Sequence, residues 1–322
     1  MMPNLPLLAV PNVSEGREQA TIVKIADAFT VRGTTRMLDV HSDADHHRSV
    51  YTLAGAQGEL SEDLLAGARV AVNRIDVGEG RDPADIGEHP HVGAVDVMPV
   101  VYLDAAQRGA ACAEGLVVAH EIGERLGLPV FLYGELAHGR TRAELRRGGV
   151  AGLAERLREG ELRPDFGPSW LHPTAGATLV AAREPLVAFN LELAPSAGID
   201  DARRIASLIR EGGKEGLLGV RAIGVPLCRG RSDNQKRDVT PHARARTAAS
   251  KETTVAQVSM NVERPLELPL RAVVEAVRKH AEVACGELVG LAPRAALEGF
   301  PTDVPLTDFD PGVHVIENAL GF

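Results

Sequence analysis

The chain has 322 residues, with 44% hydrophobic and 25% charged side chains and a formal net charge of -9. This is a globular composition rather than a fibrous or disordered one, and its acidic balance excludes nucleic acid as the main partner, because phosphate neutralisation needs a concentrated basic face. Three widely spaced cysteines, Cys112, Cys228 and Cys285, build neither a disulfide framework nor a zinc ribbon; with no basic leader and no apolar run near the ~20 residues of a membrane span, a reducing cytoplasm and no membrane are expected.

A chain of this length exceeds the size at which one hydrophobic core keeps growing, so two domains are the starting expectation. Aromatics are only 3% of residues, which leaves the core to aliphatic side chains and suits α/β layers. The run Leu7-Leu8-Ala9-Val10 reads as a strand ended by Pro11-Asn12. Ile22, Val23, Ile25, Ala26 and Phe29 then recur at helical spacing. Arg36 to Val40 and Ser49 to Ala54 read as two strands separated by a polar loop. Ser61 is the expected N-cap of a helix carrying Leu64, Leu65, Ala68, Val72 and Ile75 on one face. A buried strand is expected from Val95 to Leu103, so the first hundred residues spell β-α-β-β-α-β, the ferredoxin-like arrangement.

A helix from about Ala111 to Leu126 and a strand from Val130 to Tyr133 extend this first domain. The proline- and glycine-rich segment Arg163 to Pro173 reads as a loop and a boundary. The second unit begins with the strand Leu186 to Leu193, followed by a helix through Ile205, Leu208 and Ile209 capped by Asp200 or Asp201. Strands are expected at Leu217 to Val225 and Thr253 to Val262. A final helix carries Leu270, Val273, Val274, Val277, Ala281 and Ala284, and Glu287 to Leu291 closes a second β-α-β-β-α-β. The expected class is α/β (α+β), with two ferredoxin-like domains at residues 1–180 and 181–322. Between the last two internal strands, Arg229 to Lys251 holds five arginines and two lysines. It reads as a solvated insertion or as a basic flap over an acidic substrate tail.

Three segments carry residues suited to chemistry. Asp39-Val40-His41-Ser42-Asp43-Ala44-Asp45-His46-His47-Arg48 is placed in the loop between two strands, as an Asx-rich turn, as part of a binding site, or as ligands for zinc or manganese. No distant cysteine or Glu-x-x-His pair completes a metal shell, so no metal is expected. The second segment, Gly87-Glu88-His89-Pro90-His91-Val92-Gly93, precedes a buried strand. It offers a histidine able to act as general acid or base, a proline that fixes one dihedral beside it, and a glycine that admits a ligand close to the main chain. The third, from Arg163 through Thr178, offers exposed amides with Phe166 and Trp170 for stacking on a planar ligand, or is an interdomain linker. It has no Walker or Rossmann glycine pattern.

Taken in order, these segments resemble the formiminotransferase family. The residues that carry the resemblance are Val10-Pro11-Asn12-Val13-Ser14-Glu15-Gly16, Leu38-Asp39-Val40, Arg48-Ser49-Val50-Tyr51-Thr52, Gly87-Glu88-His89-Pro90, Gly93-Ala94-Val95-Asp96-Val97, Leu132-Tyr133-Gly134-Glu135, Pro164-Asp165-Phe166-Gly167-Pro168, Gly176-Ala177-Thr178, Ala188-Phe189-Asn190 and Ala256-Gln257-Val258-Ser259-Met260-Asn261. The resemblance implies two α/β domains with a substrate groove between them, and transfer of a formimino group from N-formimino-L-glutamate to N5 of tetrahydrofolate, as in histidine breakdown. Tetrahydrofolate is then a co-substrate, and a homodimer without a fused cyclodeaminase domain is expected. The resemblance makes His89 the general acid/base and places Asn12, Asp39, His41, Arg48, His91 and Gly93 at the substrate. It places Gly167, Pro168, Ser169, Trp170, Leu171, His172, Pro173, Thr174, Ala175 and Gly176 at the folate.

The residue types fit that chemistry. N5 attacks the amidine carbon, a tetrahedral intermediate forms, and one imidazole can take the first proton and return it to the departing glutamate nitrogen. Asp39 or His41 would hold that imidazole in the useful tautomer, and Arg48 would pair with a substrate carboxylate through its planar fork. The chain departs from the family pattern at His91, where the family has arginine, and at His47, where it has asparagine. The first departure opens formylglutamate as an alternative donor. The competing activity is a metal-dependent hydrolase using His41, Asp43, His46, His47 and His91, and a third reading is a folate-binding protein without catalysis.

Overall fold

The computed structural model describes residues 5–78, 91–229 and 253–322. Chain contacts divide it into two compact units, one formed by Met1–Val187, Val289–Arg294 and Asp310–Phe322, the other by Ala188–Leu288 and Ala295–Phe309. The sequence expectations on His89 and on most of the basic insertion lie outside the described residues.

The first unit is built on a seven-stranded sheet. Its strands are β1 (Leu7–Ala9), β2 (Asn12–Val13), β3 (Thr35–Asp43), β4 (Arg48–Gly55), β5 (Val95–Val101), β6 (Val130–Gly134) and β7 (Thr178–Arg183). β1 and β2 are two pieces of one interrupted strand lying between β4 and β5, antiparallel to both. β3 flanks β4, and on the other side β5, β7 and β6 run parallel in that order.

Helices α1 (Gln19–Ala28), α2 (Leu60–Arg74) and α3 (Arg108–Leu126) cover one face, burying Ile25, Phe29, Tyr51, Leu64, Met98 and Ile122. The opposite face is covered in two places. Helices α4 (Arg142–Arg146) and α5 (Gly149–Arg158) belong to a second cluster around Val97, Phe131, Leu153 and Leu179. The returning C-terminal segments bring Leu291 and Ile316 onto Leu8, Ala54 and Val101.

The second unit has a five-stranded sheet in the order β12-β11-β8-β10-β9, from β8 (Val187–Leu193), β9 (Val220–Arg229), β10 (Thr253–Val262), β11 (Val283–Val289) and β12 (Leu306–Thr307). Helices α6 (Ile199–Ile209) and α7 (Leu270–Arg278) supply its apolar stripes, Ala202, Ile205 and Ile209 on one and Val273, Val274 and Val277 on the other. Two short helices, α8 (Pro311–His314) and α9 (Ile316–Leu320), end the chain and belong to the first unit.

Several expectations change. β3 does not stop at Val40: its pairing with β4 continues to Asp43↔Arg48, so His41, Ser42 and Asp43 lie on a strand, and only residues 44–47 form the turn. Ser61 is not the N-cap of α2, which begins one residue earlier. The main-chain N–H groups of Gly58 and Ser61 are instead taken by the buried Glu114 carboxylate of α3, at 2.6 and 2.8 Å. Asp201 sits inside α6 and accepts back from the Gly198 N–H at 3.0 Å. α7 ends at Arg278, and Ala284 belongs to β11; alanine at helical spacing extended the apparent stripe past its real end. β7 was not expected. It is a central parallel strand of small residues, buried from Thr178 to Ala182.

Close main-chain packing fixes the loop before β5. A Cβ on Gly93 would stand 1.8 Å from the carbonyl oxygen of Ala177 and 2.7 Å from that of Ala175, and Gly93 bridges Gly176. What approaches Gly93 here is therefore the chain entering β7, whose backbone cannot yield as a flexible side chain would. Gly93→Ala is expected to cost on the order of 3 kcal/mol in urea denaturation. Glu114→Ala leaves two N–H groups at the start of α2 without their carboxylate. It should cost roughly 2–4 kcal/mol and accelerate amide exchange at Gly58 and Ser61 more than elsewhere in α2.

Candidate functional site

The side chains of Arg48, Asn12 and Asp96 come together where β2, β4 and β5 meet. Asn12 pairs with Val50 of β4 and Val97 of β5, and its amide nitrogen donates to the carbonyl of Val10 at 2.9 Å. That bond leaves its side-chain oxygen to accept from Arg48 Nε at 2.9 Å. Arg48 Nη2 donates to Asp96 Oδ2 at 2.6 Å.

Asp96 is 1% exposed and is the hub. Its carboxylate also accepts from the Val92 N–H at 3.0 Å and from both the Nε and the Nη2 of Arg146 on α4. Burial pulls the Arg48 guanidinium down to about 10, against the opposing pull of Asp96 and assisted by the nearby charges of Arg146 and Arg142. At neutral pH it remains a cation. Two guanidinium groups on one carboxylate leave a net positive charge, and Arg142 adds a third, its guanidinium 5.9 Å from the centre of the Tyr133 ring. Such a cluster suits an anionic ligand that presents carboxylates.

The position of Arg146 is itself enforced. α4 opens with a capping box in which Thr141 and Glu144 exchange hydrogen bonds. Its C-terminal carbonyls at Glu144, Leu145 and Arg147 accept from the Arg156 guanidinium of α5 at 3.0, 2.6 and 3.1 Å. Arg156 is 7% exposed, so a buried cation satisfies the end of a one-turn helix.

Asp39 and His41 lie on β3 opposite Thr52 and Val50 of β4. As Val50 is also the partner of Asn12, these residues continue the same sheet face outward from Arg48. Burial raises the Asp39 carboxyl, and the charges of His41 and His314 oppose that rise. The structure thus brings Asn12, Asp39, His41 and Arg48 onto one face, with His91 and Gly93 on the loop that supplies Val92 to Asp96. Asp96, central to this geometry, was named from the sequence only within the Gly93-Ala94-Val95-Asp96-Val97 match and given no role, and Arg146 was not singled out. The Thr-x-x-Glu signature at Thr141 and Glu144 was the available signal for α4.

Neighbouring histidines have local partners. His46 Nδ1 lies 2.9 Å from Asp43 Oδ2. Burial pushes the Asp43 carboxyl up, but the His46 contact and two main-chain N–H groups outweigh it, and the net shift is downward. His47 has a φ of 49°, and its Nδ1 accepts from the Gly16 N–H at 3.0 Å. A left-handed residue whose side chain accepts a main-chain N–H is a role that asparagine and histidine can both fill. Among the described residues no three His, Cys, Asp or Glu side chains are placed to hold a metal ion, so the hydrolase reading finds no ligand set in them.

The loop from Gly167 to Gly176 is anchored at both ends. Val130 bridges Phe166, and His172 and Gly176 exchange main-chain hydrogen bonds at 2.9 and 3.0 Å. The His172 ring Nδ1 accepts from the Ala175 N–H at 3.0 Å, and Val77 donates to the Thr174 carbonyl at 2.7 Å. Phe166 packs edge-on to His120, with ring centroids 6.1 Å apart, whereas Trp170 is 68% exposed. Of the two aromatic side chains, Trp170 is the one whose ring is largely exposed.

Comparison with known proteins agrees with this arrangement. The formiminotransferase domain, N-terminal subdomain, matches residues 7–183. The chain is 35% identical over 321 residues to a glutamate formimidoyltransferase of Streptococcus pyogenes serotype M1, covering 97% of each chain. It is 32% identical to a glutamate formimidoyltransferase of Thermoplasma acidophilum, covering 89% of this chain and 88% of that one. The formimidoyltransferase-cyclodeaminase of Rattus norvegicus is 34% identical over 89% of this chain but only 50% of its own length. The domain match over residues 7–183, which contains the Arg48–Asp96–Arg146 cluster, and identity along nearly the whole length make this chain a member of the formiminotransferase family.

Proposed function

We propose that this chain transfers the formimino group of N-formimino-L-glutamate to N5 of tetrahydrofolate, the activity named for its full-length relatives. The observation that carries the reading is the Arg48–Asp96–Arg146 cluster. It is a preformed, cationic seat for a dicarboxylate, and its elements lie within the family match. A buried carboxylate that fixes two guanidinium planes lowers the ordering cost of binding, because the forks are held before the substrate arrives.

His89 acts as the general acid/base, accepting the proton of N5 and returning it to the glutamate nitrogen as the tetrahedral intermediate collapses. Its role rests on the resemblance of the Gly87-Glu88-His89-Pro90 segment. Arg48 takes a carboxylate of the donor, with Asn12 holding the guanidinium plane. Asp39, His41, His91 and Gly93 complete the donor side, and residues 167–176 hold the folate. The formimino donor is preferred to formylglutamate because the relatives matched along nearly their whole length are named for it; Arg146 and Arg142 beside Arg48 keep positive charge for the glutamate carboxylates despite the departure at His91.

The N-terminal subdomain runs through residues 1–180 and the C-terminal one through 181–322, a boundary supported by the family match ending at residue 183, with residues 289–294 and 310–322 returning to pack with the first compact unit. Both are of the ferredoxin-like type. What supports this is the order of the first four strands, which in each sheet lie second, third, first, fourth. The enzyme works as a homodimer in a reducing cytoplasm; the free thiol of Cys112 is compatible with that setting. No helix among the described residues is long and apolar enough to cross a membrane.

Mixing the chain with tetrahydrofolate and formiminoglutamate should change the folate absorbance with turnover, and substituting N-formylglutamate should give a much slower change. No change with formiminoglutamate would sink the assignment. His89→Ala is expected to lower kcat roughly 10²–10⁴-fold while 5-formyltetrahydrofolate still binds. Arg48→Met should act chiefly on the donor, raising its KM about tenfold or more; an effect confined to the folate KM would reassign that arginine.

A further inference from the structure

Two buried polar atoms lie side by side on the site face without partners. Asp39 and Thr52 are directly opposed residues of β3 and β4. Thr52 is 2% exposed, and among the described residues neither Asp39 Oδ2 nor Thr52 Oγ1 has a hydrogen-bond partner, although both atoms are buried. Each such atom is normally satisfied in a native protein, and leaving it unpaired costs stability. Two of them in one cross-strand pair point to a group that is absent.

The surroundings say what that group is like. Directly opposed side chains on antiparallel strands stand about 5 Å apart at Cβ, which lets a carboxylate and a hydroxyl accept from two N–H groups carried on one carbon. Gly290, at a φ of +81°, passes over the pair: a Cβ there would stand 3.5 Å from Thr52 Oγ1 and 4.0 Å from a methyl of Val50. A larger residue would close the space above the hydroxyl. The pair also lies four residues along β4 from Arg48, on the same face, so an extended ligand whose carboxylate rests on Arg48 can run along the strands toward it.

We propose that Asp39 and Thr52 form the receptor for an amidine edge, a carbon bearing two N–H donors, with Asp39 taking the charge-assisted bond and Thr52 the second. The inference rests on the proposed function, which supplies two sources of that edge: the formimino group of the donor and the 2-amino-4-oxopyrimidine edge of the folate ring. Burial keeps the empty Asp39 carboxyl above its usual range, and a bound amidinium restores the carboxylate by supplying the missing counter-charge.

Calorimetric titration of the full chain with formiminoglutamate and, separately, with 5-formyltetrahydrofolate tests this, in the wild type and in Asp39→Asn, Thr52→Val and Thr52→Ser. Asp39→Asn should weaken one probe by roughly tenfold or more, Thr52→Val should weaken the same probe less, and Thr52→Ser should restore it. Loss confined to formiminoglutamate places the formimino group at the pair, and loss confined to the folate places the pterin there. Melting of the unliganded variants supplies a readout that a scaffold role would move the other way. Asp39→Asn should melt no lower than wild type without ligand and should gain less from the affected probe, whereas a scaffold residue would lower the melting point of the empty protein. Wild-type turnover with probe affinities within twofold in both Asp39→Asn and Thr52→Val overturns this inference alone. A wild type that binds neither probe and shows no turnover overturns the functional reading with it.

Discussion

The Asp96 carboxylate is the constraint around which the first unit is arranged. A buried carboxylate is tolerated only when its charge and its lone pairs are answered. Asp96 obtains that answer from β4 through Arg48, from α4 through Arg146 and from its own loop through Val92. Each of those contributors is held in turn, Arg48 by Asn12 and Arg146 by a helix whose end is fastened to Arg156. The ion cluster therefore does two things at once: it ties a sheet to the short helices beside it, and it sets guanidinium groups in fixed planes. Replacing either arginine would leave the other members of a dry network mismatched, so their effects should not add independently.

How far the sequence discloses this depends on period. Helical spacing and apolar runs bounded by turn residues disclosed the elements from Leu7 to Tyr133, β4 and β5 included although both of their faces are buried, and the β-α-β-β-α-β order follows from them. They failed where an apolar run has no clear boundary or the element is short or polar. β7, Thr178-Leu179-Val180-Ala181-Ala182-Arg183, is buried on both sides as far as Ala182, so it has no alternation to read, and it follows directly on a glycine- and proline-rich loop. α4 is one turn long, and its outward character is arginine. The polar run from His41 to Asp43 looked like a loop because it carries no apolar residue, although its main chain stays paired with β4. The site was legible in part for the same reason. Asn12, Asp39, His41 and Arg48 lie in segments of recognisable pattern, whereas Arg146 and Thr52 acquire meaning only through their partners in space.

The two units share more than element order. In each, the first four strands stand second, third, first, fourth across the sheet, and in each a parallel strand is added beyond the fourth, β7 next to β5 and β12 next to β11. The additions differ in scale. β12 is two residues long, while β7 and β6 enlarge the first sheet and provide the base on which α4, α5 and the loop from Gly167 to Gly176 are mounted. The binding chemistry of the first unit is thus concentrated on the parts that exceed the shared pattern and on the strand pair, β3 and β4, that belongs to it.

The first unit closes with residues from the far end of the chain. Ile316 packs on Leu8 and Ala54, and Arg36 donates to the carbonyl of Ala319 across 283 positions of sequence. Such distant contacts are slow to form, and during synthesis they cannot form at all until the last residues have emerged. The strands bearing Asp39 and Thr52 must therefore wait, with their apolar neighbours uncovered, while the second unit is translated. The nascent chain would keep that sheet face uncovered until residues 289–320 have been made, and the candidate site beside it would mature only then.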